Sequence, residues 1–527
     1  MKPLATAAVC VALALLTFFQ FPGHTWLQQD SQIYVPILEH LRDPGVLRND
    51  ILVQHPHVAF TLYDEVALGL RAISGAGFQE VLGAQQIVTR ALGIWGLMLM
   101  AEALGLAFLP ALLVASACSL GALISGPAVL TFEYEPTPRA FAVPLLICAL
   151  GLAARQRYLG AGIAAAAAFL YHPPTALPFW GVYLMLLLWP GELRRSRAMA
   201  FLPLVAAASL LWVAARSQSA AGEAQRVFAR LDSGQEFLQR FRAAYVWVST
   251  WPAATVLHHL LILAILMGAF LRVRRAANTE LRVLVLGLAA LGVLSMPGSW
   301  LLLEEWHWGL VPQVQPMRAL LFLTLGMLFL CSAAGARALE GGRRVEALGW
   351  LACVFMLPLQ PLLTGPYVWR RVGLALVLAA IAAIAGARLA LIPAIAAFFL
   401  IPIAGGVVNY PTLHTADLAQ LSRWARANTS RDAVFVFPDV NKGLAPGIFR
   451  SEALRAVYVD WKGGGQVNYL KDLGDQWWFR WQQTRNFQAS VLSQYAASGI
   501  RYVVLQKPLQ TPSVFQNSGY FVYDLKR

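Results

Sequence analysis

The chain is short of charged residues, and this shortage excludes an ordinary soluble protein. Only 13% of its 527 residues are Asp, Glu, Lys or Arg, whereas 58% are hydrophobic. Soluble domains carry roughly a quarter charged residues. Charge becomes rare where side chains face hydrocarbon, because an unpaired charge there costs several kcal/mol. The composition therefore predicts a protein that lies largely within a lipid bilayer.

Cysteine is also scarce, and its placement excludes a disulfide framework and a zinc site. The five cysteines fall inside apolar segments, and their spacing matches no metal motif, so we interpret them as packing residues; they are Cys10, Cys118, Cys148, Cys331 and Cys353. The sequence also has no phosphate-binding glycine loop, no dinucleotide fingerprint and no internal repeat. The chemistry must therefore come from dispersed residues.

What the sequence has instead is about thirteen apolar segments, each a candidate membrane span. A helix needs about 20 apolar residues to cross a bilayer. The first segment is followed by no small-residue cleavage site, so we expect it to be an uncleaved span. The segments lie near 4–21, 84–101, 106–124, 139–153, 159–171, 175–190, 199–215, 254–271, 283–296, 317–336, 347–363, 372–387 and 389–406.

The basic residues predict how these spans are oriented. The net charge of +14 comes from 41 basic and 27 acidic residues. Arginines such as Arg195, Arg274 and Arg344 fall in alternate loops, as expected for cytoplasmic loops. The short outer loops at 125–138, 172–174 and 297–316 contain neither Lys nor Arg, and the outer turn at 364–371 contains only Arg370 and Arg371. We therefore expect a cytoplasmic N-terminus, an extracytoplasmic C-terminus and no nucleic-acid partner.

The composition changes after residue 406, where charged residues return and apolar segments cease. Residues 417–428 have the pattern of a helix, and 433–437 and 502–505 have the pattern of strands. The fold class predicted is an α-helical polytopic membrane protein with a small C-terminal α/β extracytoplasmic domain. Its parts are a membrane domain over 1–406, which includes a long outer loop at 22–83, and a C-terminal domain over 407–527.

The first outer loop supplies the first candidate catalytic residue, Asp30. It follows the first span closely, so its carboxylate should lie at the membrane surface, where it is suited to act as a general base or to bind a cation. The alternative is that Asp30 only caps the helix predicted from Ser31. The same loop holds the secondary candidates Asp50, His55 and His57.

The second outer loop supplies Glu133, Glu135 and Arg139. Residues two apart in an extended segment point to the same side, so the two glutamates, with Asp30, are candidate ligands for a divalent cation such as Mg²⁺ or Mn²⁺. Alternatively, Glu135 pairs with Arg139. An arginine that opens a span needs a partner or an anionic ligand, and guanidinium binds phosphate bidentately.

Two further residues extend this candidate phosphate site. His172 follows a span of only about thirteen residues, so we expect it below the outer surface and next to Arg139. Arg318 opens a later span, as Arg139 does. The loop before Arg318 adds the secondary candidates Glu304, Glu305 and His307. We expect Asp30, Glu133, Arg139 and His172 to line one recess, because a base and its phosphate ligands must reach the same reacting bond.

This arrangement of spans, outer-loop acids and soluble tail resembles the GT-C membrane glycosyltransferases, with the oligosaccharyltransferases as a topological match. The resemblance implies that Asp30 is the first-loop acid of the family and that Glu133 and Glu135 form its second-loop acid pair. The pair is Glu-x-Glu where Asp-x-Asp is common, and residues 477–480, Trp-Trp-Phe-Arg, do not replace the Trp-Trp-Asp-Tyr-Gly acceptor motif. The first loop, with Asp43-Pro44 and Asn49-Asp50, is also similar to that of bacterial GT-C-like proteins whose acceptors are generally unassigned.

The resemblance implies inverting transfer of a sugar from a polyprenyl-phosphate-linked donor, at the outer face of a bacterial inner membrane. Asp30 would deprotonate the acceptor or bind the metal, and Arg139, His172 and Arg318 would neutralise the leaving phosphate. The acceptor is left open as a glycan, a lipid or a protein. The alternatives are a lipid or polysaccharide flippase or transporter, a surface-polysaccharide polymerase or ligase, and a non-catalytic relative whose tail binds a partner.

Overall fold

The computed structural model describes residues 3–19, 24–54, 61–218, 229–357, 368–405, 413–485 and 487–526. Within the described residues up to 405 there are nineteen α-helices and one small hairpin, β1 (Leu123–Ile124) with β2 (Val129–Leu130). The helices are α1 (Pro3–Phe19), α2 (Ser31–Arg42), α3 (Ile51–Gln54), α4 (Tyr63–Ser74), α5 (Phe78–Ala103), α6 (Phe108–Ser119), α7 (Pro138–Ala154), α8 (Tyr158–Tyr171), α9 (Pro173–Leu188), α10 (Arg194–Ala198), α11 (Phe201–Gln218), α12 (Ser233–Arg242), α13 (Ala253–Val273), α14 (Thr279–Ser299), α15 (Val311–Val314), α16 (Leu320–Glu340), α17 (Arg344–Met356), α18 (Val368–Leu389) and α19 (Leu391–Gly405).

Every apolar segment predicted from the sequence overlaps one of these helices. They are α1, α5 to α9, α11, α13, α14 and α16 to α19. Within the described part of the chain, five helical segments are long and apolar enough to cross a membrane, by length and composition; they are Arg194–Arg216, Ala253–Val273, Thr279–Glu305, Val311–Glu340 and Val372–Leu389. Six further apolar helices have 10–17 residues. The multi-pass helical architecture is confirmed, and the number of thirteen spans stays a prediction.

Close packing between α5 and α7 sets the position of the helix that begins with the candidate phosphate ligand Arg139. All residues of α7 are buried. A side chain on Gly96 would overlap the backbone of Ile147, and one on Gly151 would overlap the backbone of Gly96. Small residues let membrane helices approach this closely. A rigid contact along the bundle therefore fixes the end of α7 from which Arg139 projects.

The C-terminal part is the small α/β domain that the sequence predicts. Its elements are α20 (Ala416–Asn428), β3 (Val434–Val436), α21 (Ala445–Ala453), β4 (Ala456–Val457), α22 (Lys471–Thr484), α23 (Leu492–Ala497), β5 (Tyr502–Leu505), β6 (Phe515–Gln516) and β7 (Phe521–Asp524). The five strands have the order β4-β3-β5-β7-β6. β3 runs parallel to β4 and β5, whereas β7 is antiparallel to β5 and β6. A 3₁₀ segment, Gly463–Asn468, connects β4 to α22.

A buried ionic cluster joins this domain to the segment between α2 and α3. Arg450 is fully buried and donates from Nε to Asp50 at 2.7 Å and from Nη2 to Asp460 at 2.7 Å. Asp50 also accepts from the backbone N–H groups of Leu52 and Val457. A buried charge is tolerated when it is paired and hydrogen-bonded in this way. The secondary candidate Asp50 is thus engaged in a structural contact.

Candidate active site between the helix ends and the C-terminal domain

A cavity of about 150 Å³ lies where the ends of the helices meet the C-terminal domain. Among the described residues that line it, one carries a carboxylate, Asp30. Opposite charge dominates the rest of the wall, which includes Arg139, Arg242, Arg318 and Lys462, together with His172. A concave site in which cations surround one acid is suited to an anionic ligand that reacts next to a base.

Asp30 sits immediately before α2, in the N-cap position, but its side chain makes no capping hydrogen bond. Its Oδ1 instead lies 2.7 Å from Nζ of Lys462, and the side chain keeps 43% of its surface exposed. Burial by itself would raise the pKa of Asp30, but Lys462, reinforced by Arg139 and Arg318, holds that pKa well below its usual range. The carboxylate is therefore ionised and open to a ligand.

Asp30 does not cap α2, and Glu135 of the second outer loop does so instead. Glu135 Oε1 accepts from the backbone N–H groups of Gln28 and Gln29 at 2.6 Å, and Oε2 accepts from Ser31 at 2.8 Å. A carboxylate at a helix N-terminus satisfies the unpaired amides and interacts favourably with the helix dipole. Burial raises the pKa of Glu135. Glu135 thus fixes the backbone on both sides of Asp30.

Glu133 is the partner of the phosphate-ligand candidate Arg139. Its Oε1 accepts from Arg139 Nε at 2.7 Å and from the backbone N–H of Leu130 at 3.2 Å. The buried Arg90 and Gln86 of α5 hold the Glu133 carbonyl oxygen at 2.7 and 2.9 Å. Glu133 therefore orients the Arg139 guanidinium, and the carboxylate is not among the cavity-lining groups.

Two further residues line the cavity next to the ends of different helices. Arg318 lies in the 3₁₀ turn just before α16, and its guanidinium carbon is 5.9 Å from the ring centroid of Tyr245. Its Nε is buried with no hydrogen-bond partner among the described residues. His172 ends α8, and its Nδ1 accepts from the backbone N–H of Thr175 at 3.2 Å. Arg318 therefore retains a donor suited to a phosphate oxygen.

The recess predicted from the sequence is present, but Arg318 lines it and Glu133 does not. Asp30, Arg139 and His172 line it together with Arg318, whereas Glu133 and Glu135 lie behind the wall and hold its residues in place. Both glutamates were expected to act on the substrate or a metal. Their oxygens are engaged instead by backbone amides and by Arg139, and the fold brings them there because the second loop packs against the start of α2.

The secondary candidates that the structure describes are not among the residues that line this cavity. Glu304 accepts from the backbone N–H of Ser249 at 2.9 Å and lies 3.5 Å from Arg240. His307 lies 3.4 Å from Glu236, and Glu305 is exposed. The remaining two candidates, His55 and His57, lie outside the described residues. The loop that carries Glu304, Glu305 and His307 therefore braces α12 and the turn after it.

A divalent cation does not fit the set of donors that the fold assembles. In the part of the chain that the structure describes, no three His, Cys, Asp or Glu side chains converge as metal ligands. Asp30 is paired with Lys462, Glu133 with Arg139, and Glu135 with three amides. Mg²⁺ and Mn²⁺ need several free oxygen ligands, whereas four of these six carboxylate oxygens already face a cation or an N–H donor.

Sequence reasoning missed the contribution of the C-terminal domain and of α12. Lys462, Gly465, Gln466 and Tyr469 line the cavity from the segment after β4, and Arg242 lines it from the end of α12. One local signal was present, since Lys462 precedes three consecutive glycines. A side chain on Gly464 would overlap the Trp477 ring. The glycines therefore let this segment pack tightly against α22.

Comparison with solved structures identifies the fold. The chain matches the apo crystal structure of ArnT from Cupriavidus metallidurans over 98% of its own length and 97% of that chain, with a TM-score of 0.51 and 13% identity. ArnT from the same organism bound to undecaprenyl phosphate matches with a TM-score of 0.48 and 12% identity, over 99% of this chain and 98% of that one. The arabinofuranosyltransferase AftD from Mycobacteria matches 98% of this chain and 36% of its own, with a TM-score of 0.44 and 16% identity.

The match to apo ArnT over 98% of this chain shows that the chain shares the fold of that protein. At 13% identity the likeness concerns the fold alone. Residues 416–483, within the C-terminal domain, match a family model described as a domain of unknown function, DUF6798. No curated protein sequence matches the chain significantly.

Proposed function

We propose that the protein is an inverting membrane glycosyltransferase that takes a sugar from a polyprenyl-phosphate-linked donor. The transfer takes place at the outer face of a bacterial inner membrane. The observation that carries this proposal is the position of Asp30, an ionised carboxylate surrounded by Arg139, Arg242, Arg318 and Lys462 in one cavity. The GT-C fold is consistent with it.

The arrangement supports a single displacement at the anomeric carbon of the donor sugar. The acceptor hydroxyl attacks that carbon while its proton passes to Asp30, which acts as the general base. The bond between the anomeric carbon and the phosphate oxygen breaks on the opposite side. The lipid phosphate leaves with an additional negative charge.

The cations stabilise that growing charge more than they stabilise the bound donor, which is the condition for lowering the barrier. Arg318 offers its unpartnered Nε, and Arg139 is held rigidly by Glu133. His172 lines the same wall. The donor lipid would lie between helices with its phosphate at the helix ends, next to the cavity.

The proposal is tested with the purified full chain in nanodiscs and a panel of synthetic polyprenyl-phosphate sugars. Release of the polyprenyl phosphate reports transfer of the sugar to an acceptor and also its slow transfer to water. The assay therefore requires no knowledge of the acceptor. We expect release with at least one donor, and a loss of 10²- to 10⁴-fold in Asp30→Asn, the range typical of a missing general base.

The matched control is Asp43→Asn. Asp43 lies in the same loop and pairs with Arg431 at the surface, at 3.4 Å. We expect its rate to stay within about twofold of the wild type. Equal rates in Asp30→Asn and Asp43→Asn would refute the assigned base. Absence of release with every donor would refute the proposed activity.

A further inference from the structure

A cluster of aromatic side chains lies on the protein surface, formed by α12, α22 and the segment between β4 and α22. We call the four residues Phe237, Phe241, Trp461 and Trp478 the aromatic ledge. The ring of Trp478 lies 5.5 Å from Phe237 and 5.1 Å from Phe241, and Phe241 lies 5.7 Å from Trp461, between centroids. These contacts are edge-to-face, the favourable geometry for aromatic pairs, so the ledge is an ordered surface.

Much of this ordered surface is exposed. Phe237 is 54% exposed and Phe241 is 39% exposed, although both are large apolar side chains that folding could have buried. Contiguous exposed apolar patches mark sites of interaction. The ordering of the rings by mutual contact further indicates a preformed site, which loses little entropy when a ligand binds.

The ledge is continuous with the candidate active site. Arg242 follows Phe241 and lines the cavity, with its guanidinium carbon 4.6 Å from the Trp461 ring centroid and its Nε donating to the Trp461 carbonyl at 2.8 Å. Lys462, which follows Trp461 in the sequence, pairs with Asp30. A ligand lying along the ledge would therefore have one end at the general base.

The polar groups beside the ledge indicate which chemistry it binds. Asp475 and Gln482 are exposed, three residues before and four after Trp478 on α22, and therefore share its face. Lys442 Nζ lies 4.5 Å from the Trp461 ring centroid. Carboxylate and amide groups hydrogen-bond hydroxyls, and the ring faces that Arg242 and Lys442 leave uncovered attract the C–H groups of a sugar ring. Insertion into lipid would desolvate the Asp475 carboxylate at a large cost.

We propose that the aromatic ledge binds a glycan chain, and that the acceptor of the proposed transfer is therefore an oligosaccharide or a longer glycan. The identification of the glycan as an acceptor rests on the proposed function. Saccharide binding to the ledge does not itself require catalysis. Phe237, Phe241 and Trp478 contact one another, and Trp461 extends the ledge from Phe241 toward the cavity. A chain of several sugar units therefore gains contacts that a single sugar lacks.

The test measures binding without any donor, using the full chain in nanodiscs with maltohexaose, cellohexaose and chitohexaose and, for comparison, glucose and N-acetylglucosamine. Tryptophan fluorescence and saturation-transfer NMR report occupancy of the ledge. We expect saturable binding of at least one hexasaccharide, tenfold or more tighter than its monosaccharide. The double variant Phe237→Ala/Phe241→Ala should weaken this binding by tenfold or more.

The matched control is Phe479→Ala, because Phe479 is 60% exposed on α22 but adjacent to Trp478 in sequence and thus on another side of the helix. Its affinity should stay within twofold, and thermal unfolding should show that all variants are folded. Absence of binding to all three hexasaccharides, or equal affinity in the double variant and the wild type, overturns the inference. Hexasaccharide binding without donor turnover would support glycan binding by the ledge and refute only the proposed transfer.

Discussion

Lys462 of the C-terminal domain lies 2.7 Å from Asp30, which immediately precedes α2. The C-terminal domain therefore contacts the first outer loop at the candidate base. The Asp30 side chain is 43% exposed and that of Lys462 is 15% exposed. A partly solvated pair of this kind contributes little to stability, typically 0–1 kcal/mol. The larger consequence is electrostatic, because Lys462 helps to keep Asp30 ionised. The C-terminal domain is thereby part of the site.

We expect Lys462→Met to change the pH dependence of the reaction. In the wild type the pKa of Asp30 lies well below its usual range, so its ionisation should not limit the rate at pH 5 or above. Without Lys462, the effect of burial, which raises the pKa of Asp30, is opposed less strongly, and the base becomes protonated at higher pH. The kcat/KM of Lys462→Met should therefore fall as the pH drops from about 7 to 5.

The control for this pH profile is Lys471→Met, because Lys471 pairs with Asp232 at the exposed surface. Its profile should match that of the wild type. An acid limb that is unchanged in Lys462→Met would mean that Lys462 does not set the protonation of the base.

Replacing Glu135 by Gln should lower activity by misplacing Asp30. The Gln Oε1 still accepts from Gln28 and Gln29, but its NH₂ group faces the Ser31 N–H, two donors against each other. A lost hydrogen bond to a charged group costs about 1.5–3 kcal/mol, so we expect roughly a 10- to 100-fold loss in kcat/KM. In an Asp30→Asn background Glu135→Gln should cause no further loss of the residual rate.

Glu39→Gln serves as the control on the same helix, since Glu39 pairs with Arg42 at the far end of α2. We expect it to retain activity within about twofold. If Glu135→Gln lowers the rate equally whether or not Asp30 is present, Glu135 acts on the reaction in another way than by positioning Asp30.

Asp50→Asn should destabilise the junction between the C-terminal domain and the first loop. Asp50 is fully buried and accepts from Arg450 and from the Val457 N–H through the same oxygen. Removing one partner of a buried ion pair costs about 3–5 kcal/mol. We expect a clear fall in the midpoint of thermal unfolding, and faster proteolysis between the two parts.

The surface pair Asp432–Arg48, at 2.6 Å, provides the comparison for Asp50. It joins the same two regions, but both side chains are about half exposed. Asp432→Asn should therefore cost no more than about 1 kcal/mol. Similar unfolding midpoints for Asp50→Asn and Asp432→Asn would contradict the importance of the buried cluster.

Chelation should leave the reaction intact, because the acids near the cavity are paired with Lys462, Arg139 and backbone amides. We expect polyprenyl phosphate release to stay within about twofold after dialysis against EDTA. Loss of activity that added Mg²⁺ or Mn²⁺ restores would show that Asp30 or the glutamates leave these partners to bind a metal.

Orientation is predicted from the arginine pattern and is checked with reporter fusions. Fusions at Arg195, Arg274 and Arg344 should report the cytoplasm, and one at Asp432 should report the outside. Each fusion point lies in or next to a predicted loop or in the C-terminal domain. A cytoplasmic Asp432 would place the cavity on the other face of the membrane and refute the outer-face reaction.

The prediction from sequence succeeded where the signal is local. Each apolar segment became a helix because its backbone hydrogen bonds close within the segment, whatever its neighbours are. The strands at 433–437 and 502–505 follow from short β-branched and aromatic runs. Asp30, Arg139, His172 and Arg318 were found because an ionisable residue at the end of an apolar run is conspicuous against its surroundings.

The roles of the acids were decided by tertiary structure alone. Asp30 and Glu135 are both carboxylates in loops, and the sequence analysis proposes both as candidate metal ligands. The fold turns Glu135 toward three backbone amides and leaves Asp30 facing the cavity. Which donors surround a carboxylate depends on packing between distant segments, and periodicity within one segment carries no information about that packing.

Lys462 marks the same division between what sequence and structure determine. The sequence by itself determined a multi-pass helical protein with ionisable groups at the helix ends and a small α/β tail, because hydrophobic runs and charge deficits act locally. Only the tertiary structure brought the tail's lysine to Asp30 and the aromatic ledge to the cavity rim. These contacts depend on how the C-terminal domain docks, which is held by the buried Asp50–Arg450–Asp460 cluster.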